Sequence, residues 1–196
     1  MEKWCSPSPE EAARMLADLR APWWFAGGWA IDLFLGGTQR THEDLDVGCF
    51  RRDVRHVIGL LAGWDVRAPV HGALVPIERE VPIHADVHNL WCRPEPVSCW
   101  VLEILLEDSD GPEWVYRRDP RIRRADRDII AHTAAGLPFL RPEIQLLYKA
   151  EDSRPRDEVD FQAAWRHLWA DQRAWLMASI AATVPGHPWL LTDGAG

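Results

Sequence analysis

The chain is short of positive charge. Its 196 residues hold 22 Lys and Arg against 30 Asp and Glu, a formal net charge of −8, and gripping a nucleic-acid backbone needs a basic footprint that this balance withholds. A cationic small substrate would be attracted instead. No apolar run approaches the ~18 residues of a membrane span, and no charged start followed by an apolar core marks a secretory signal. The expectation is a cytoplasmic protein with neither a membrane nor a nucleic-acid partner. The four cysteines, Cys5, Cys49, Cys92 and Cys99, lack metal-finger spacing, and a cytosolic compartment would keep them reduced as packing residues. There is no internal repeat and no low-complexity stretch. What remains, at 47% apolar residues, suits one globular unit or a catalytic domain with a helical appendage, and excludes disorder.

The most informative stretch runs from Trp23 to Phe50. A short apolar strand leads to the Gly27-Gly28 turn, then a two-turn helix closed by Gly36-Gly37, then a second strand carrying Asp44 and Asp46. Alternation along a strand sends both carboxylates to one face, roughly 6.5 to 7 Å apart. Two like charges so held repel unless a cation sits between them, and hard divalent ions with oxygen preference, Mg²⁺ above all, suit the pair. Glycines leave backbone N–H groups open to an anion, and the helix beginning near Trp29 offers its positive end. Asp32, the helix's one charge, is expected to face solvent or to pair with Arg40. Arg40 could also meet a phosphate, and His42 is read as a hydrogen-bonding residue that orients the loop.

Gly27-Gly28-Trp29-Ala30-Ile31-Asp32 followed by Arg40-Thr41-His42-Glu43-Asp44-Leu45-Asp46 resembles the signature of the aminoglycoside and lincosamide nucleotidyltransferases of the DNA polymerase β-like superfamily. Segments 142–150 and 154–161 are similar to a helical stretch in that group. The resemblance implies Mg²⁺-dependent transfer of a nucleotide, with ATP as donor, to a hydroxyl of a small molecule such as an antibiotic. It also implies that Gly27 and Gly28 contact phosphate, and that Lys149 reaches across a cleft to the nucleotide. Acceptor and oligomeric state stay open. Competing readings are a non-catalytic, antitoxin-like nucleotide-binding protein and a metal-dependent phosphohydrolase.

Such chemistry wants a third carboxylate. Asp86 lies in the alternating stretch Ile83 to Trp91 and matches the family's third-carboxylate strand, which makes it a further metal ligand on that resemblance. Glu103 sits in Trp100-Val101-Leu102-Glu103-Ile104-Leu105-Leu106, apolar on both faces, where an unpaired charge is costly. Both stay open. His84 and His88 have no further ligand at a spacing that would make a zinc site. The basic cluster Arg117 to Arg124 reads as a solvated edge, with binding of the leaving pyrophosphate as the alternative. The spacing predicts a first helix capped by Ser8, a hairpin tip at Glu107 to Pro112, and helices over 142–152, 155–168 and 171–183. The expected fold is α/β (α+β): a small mixed sheet flanked by helices over residues 1–125, and a C-terminal helical bundle over 126–196 with no further strand.

Overall fold

The computed structural model describes residues 3–78 and 81–194. The first helix, α1 (Pro9–Met15), begins with a reciprocal cap: Ser8 Oγ accepts from the Glu11 amide while the Glu11 carboxylate accepts from the Ser8 amide, satisfying two donors that a helix start leaves bare. β1 (Trp23–Phe25) runs into α2 (Gly27–Leu35), so the helix starts on the glycine pair itself. Gly36 ends α2 at φ +72°, the left-handed geometry a side chain resists.

Next come β2 (Asp46–Phe50), α3 (Val54–Leu60), β3 (Asp65–Val70), β4 (Ala73–Pro76) and β5 (Asn89–Arg93). The long β6 (Leu102–Asp110) turns through Gly111 into β7 (Glu113–Val115), so the expected hairpin is present but residues 107–110, read as part of its tip, are strand; β8 (Arg123–Ala125) pairs with β7. With β9 (Ile130–His132) and β10 (Pro138–Leu140), the sheet order is β4-β3-β5-β6-β2-β1-β10-β9, and the β7–β8 ribbon is attached to β6. β2 lies parallel to β6 and β1 parallel to β10; the other pairs are antiparallel, which makes the sheet mixed.

The last two strands correct the expectation that strands stop before residue 126. β9 (Ile130–His132) and β10 (Pro138–Leu140) add a hairpin beside β1. Each is three residues long, too short to show the alternation that marks a strand. The helices α4 (Pro142–Ala150), α5 (Pro155–Trp165) and α6 (Ala170–Thr183) follow, and α2 packs against α4 and α5. Trp24, Phe25, Leu45, Phe50, Ile104 and Leu146 are fully buried in the core.

The cysteines need a second correction. Cys5 and Cys99 form a disulfide, while Cys49 and Cys92 are free and buried. The chain before α1 runs parallel to residue 100: the Cys5 amide donates to the Trp100 carbonyl and the Trp100 amide to the Lys3 carbonyl. That pairing sets the two sulfurs together across 94 residues of sequence, a distance that spacing rules do not cover. No helix among the described residues is long and apolar enough to cross a membrane.

Candidate active site

Asp46 is the first residue of β2 and pairs in register with Glu103 near the start of β6. Asp44 sits in the bend just before β2, anchored by the fully buried Leu45, whose carbonyl accepts from the Glu103 amide. One oxygen from each of Asp44, Asp46 and Glu103 lies within 4.8 Å of the others. Burial, reinforced by Glu103 and Asp44 alongside, pushes the Asp46 carboxyl up to about 8. Burial also raises Glu103, against a hydrogen bond from the Asn89 side-chain amide on β5. Three carboxylates so close, with no ion-pair partner among the described residues, form an all-oxygen donor set that fits a hard divalent cation.

The glycine pair stands over this cluster. Gly27 has φ +59°, and a Cβ there would fall 1.9 Å from Asp46 Oδ2, so both backbone conformation and space demand glycine. Its amide donates to Gln145 Oε1 of α4 at 2.8 Å. At Gly28 a Cβ would strike the Arg40 guanidinium and the His42 ring, 2.3 and 2.5 Å away. Arg40 and His42 therefore pack directly against the start of α2.

Neither of those two is free. His42 Nε2 meets Asp32 Oδ2 at 2.5 Å and its ring lies 4.3 Å from that of Trp29. Asp32, expected to be solvated or paired with Arg40, is buried and also accepts from the Gln39 amide. Arg40 instead makes a two-pronged contact with Asp160 of α5, Nε to Oδ1 at 3.0 Å and a terminal nitrogen to Oδ2 at 3.1 Å. Lys149 of α4 reaches the same carboxylate at 2.8 Å and Asp157 at 2.7 Å. Arg154 closes the chain on Asp157 at 2.8 Å. Arg154 and Lys149 hold the Asp157 carboxyl down to about 2 against burial. This hub ties the loop before β2 to α4 and α5.

A cleft of about 520 Å³ opens beside Asp46 and Gly27, walled by Arg117, Arg118, Lys149 and Arg154 with Glu107, Tyr148 and Gln145. Arg118 is bonded to Glu151 and to the Tyr148 carbonyl. Arg117 leans toward the Tyr148 ring, 5.8 Å from its centre, and has no ion-pair partner among the described residues. Glu107 is buried and accepts from Tyr148 Oη at 2.5 Å and Trp114 Nε1 at 2.7 Å.

Asp86 lies outside this cluster. Residues 85–86 form a turn, not a strand, and the Asp86 side chain is 90% exposed beside His84. Pro82 and the turn break the apparent alternation, and β5 starts only at Asn89. Sequence reasoning missed Asn89, Gln145, Asp160 and Glu107. Glu107 had a visible signal, as a carboxylate two positions along the same strand face from Leu105 in an apolar run. Gln145 and Asp160 had none, because their roles depend on how α4 and α5 dock.

A mixed sheet carrying an acidic trio against a glycine-initiated helix defines the nucleotidyltransferase class of fold. Structural comparison agrees at the level of fold. The chain superimposes on the lincomycin-bound lincosamide antibiotic adenylyltransferase LnuA with a TM-score of 0.54 at 18% identity, covering 79% of this chain and 92% of that one. It superimposes on ANT(2'')-Ia in complex with adenylyl-2''-tobramycin with a TM-score of 0.52 at 16% identity, covering 88% and 95%.

The sequence model of the aminoglycoside-2''-adenylyltransferase family matches residues 10–99. A lincosamide resistance protein of Staphylococcus haemolyticus is 23% identical over 134 residues, 66% of this chain and 74% of its own length. A 2''-aminoglycoside nucleotidyltransferase of Escherichia coli is 30% identical over 95 residues, 47% of each chain. The match thus spans about half the length of the aminoglycoside relative. The chain is thus similar to the aminoglycoside and lincosamide nucleotidyltransferases, with the family model covering just under half of its residues.

Proposed function

We propose that the protein transfers the AMP moiety of ATP to a hydroxyl of a small polyhydroxylated acceptor, of the aminoglycoside or lincosamide kind that its relatives' names record. The observation that carries this is the meeting of Asp44, Asp46 and Glu103 at the start of α2. These three carboxylates would hold Mg²⁺. Bound there, the ion would offset phosphate charge and stabilise both the attacking and the departing oxygens.

The chain's own residues supply the rest. Gly27 and Gly28 bring the backbone and the positive end of α2 against the triphosphate, with Gln145 yielding its hold on the Gly27 amide. Arg117, uncommitted in the cleft, takes the β- and γ-phosphates. Arg40 and Lys149, proposed from sequence as phosphate contacts, act here by fixing the loop before β2 through Asp160 and Asp157. Glu103, raised by burial, accepts the proton from the acceptor hydroxyl. That oxygen then bonds to the α-phosphorus in line as the bond to the β-phosphate oxygen breaks and pyrophosphate leaves. Glu107 lies farther along the same cleft, where a carboxylate attracts a cationic or hydroxyl-rich acceptor.

The test is to incubate the protein with labelled ATP, Mg²⁺ and a panel of aminoglycosides and lincosamides. Pyrophosphate released only when an acceptor is present, with an adenylylated product, supports transfer. Release without any acceptor means hydrolysis and overturns the reading.

A further inference from the structure

On the other flank of α2 lies a larger cavity of about 890 Å³, sharing no residue with the cleft beside Asp46. It opens between the start of α1, the side of α2 carrying Trp29 and Phe34, the β9–β10 turn and the start of α6. Its size is that of a small-molecule site. The aromatic rings of Trp29, Phe34, Phe139 and Trp169 line it, and Trp169 is 75% exposed, an unusual position for a residue of that bulk.

Two buried donors face no acceptor. Trp29 Nε1 and Arg141 Nε are both cut off from solvent without a hydrogen-bond partner among the described residues, and both residues line this cavity. Arg141 is the telling one, because its guanidinium forms no ion pair among the described residues. The acidic groups around it are spoken for or distant: Asp32 is held by His42 and the Gln39 amide, and Glu143 by Arg124 and Gln172. Glu10 on the cavity rim and Asp128 and Asp171 in the adjoining pocket are exposed, and none lies within ion-pair distance of Arg141. A partly buried cation without a counter-charge costs stability.

We infer that this cavity is a second ligand site, for a small aromatic or apolar molecule carrying a carboxylate or comparable anion. The rings bury the apolar body, and the anion pairs with the Arg141 guanidinium, which has no ion-pair partner among the described residues.

The experiment titrates the full chain with 2-naphthoate by calorimetry and by ligand-detected NMR, with and without Mg-ATP, and repeats this on Arg141→Met, which keeps the stem's volume and removes the charge. The expected result is saturable binding that Mg-ATP does not displace and that Arg141→Met weakens at least tenfold, with a melting temperature unchanged or higher. Absence of saturation up to about 5 mM, the millimolar limit of weak specific binding, would overturn the site. So would displacement by Mg-ATP, equal binding by Arg141→Met, or a variant that melts several degrees lower, since the last would make Arg141 a structural residue.

Discussion

Two acidic clusters stand side by side in this molecule and are treated in opposite ways. Asp157 and Asp160 are fully buried, and every oxygen that needs a cation has one from Lys149, Arg154 or Arg40. Asp44, Asp46 and Glu103 converge within 4.8 Å with no ion-pair partner among the described residues. The carboxyl at Asp157 is held down and that at Asp46 is pushed up. The chain supplies positive charge to the first cluster, and on the proposed function a bound ion would supply it to the second. Removing one partner should therefore damage the first cluster's stability and the second cluster's activity.

The largest effect is expected at Lys149→Met. It leaves two buried carboxylates short of a counter-charge, and breaking such a pair costs about 3 kcal/mol; Arg154 and Arg40 hold the loss to that lower end. A urea-melt midpoint equal to wild type would break the comparison on its structural side. Asp46→Asn should do the reverse, cutting turnover by about 10²-fold while the metal-free protein melts no lower than wild type. If it instead melts several degrees lower yet keeps wild-type turnover per folded molecule, the carboxylate cluster is architectural.

Acidity sharpens the contrast, because the two shifts have opposite signs. Asp46, raised from 3.8 to about 8 in the folded state, makes the folded protein the better proton binder across that interval. Its contribution is full below the unfolded value and fades as pH rises toward 8. Asp157, lowered to about 2, contributes above its ordinary 3.8 and loses that contribution as pH falls. In chelator, stability should decline between about pH 5 and about pH 8, and Asp46→Asn should flatten that decline. A wild-type profile rising over the same interval would contradict the assignment.

The smallest effect distinguishes two roles for the glycine pair. From sequence, Gly28 is open backbone for a phosphate; in the structure its missing Cβ makes room for Arg40 and His42. Gly28→Val should thus disturb the Arg40–Asp160 contact and lower stability together with nucleotide affinity. Calorimetry and thermal melts on one preparation measure both. Loss of affinity at unchanged stability would restore the backbone-phosphate role.

That the glycine pair opens a helix and that Asp44 and Asp46 lie close together was legible in the sequence, because both follow from residues near one another in the chain. The capped α1, the β6–β7 hairpin and the three C-terminal helices were legible from local turn and helix signals. What was not legible depends on distant pairing. Glu103 and Asp86 were indistinguishable until the register Asp46↔Glu103 and the turn at 85–86 separated them. Lys149 looked like a phosphate contact because nothing local shows that α5 turns Asp157 and Asp160 toward it. The Cys5–Cys99 link and the short strands β9 and β10 likewise arise from partners far away in the chain.

The central claim is that Asp44, Asp46 and Glu103 form one divalent-cation site for the nucleotide. Its most direct test is calorimetric titration of Mn²⁺ with a non-hydrolysable ATP analogue into wild type, Glu103→Gln and Asp86→Asn. Metal-dependent binding should persist in Asp86→Asn and weaken at least tenfold, about 1.4 kcal/mol, in Glu103→Gln. Wild-type binding by Glu103→Gln, or loss of binding in Asp86→Asn, would contradict it.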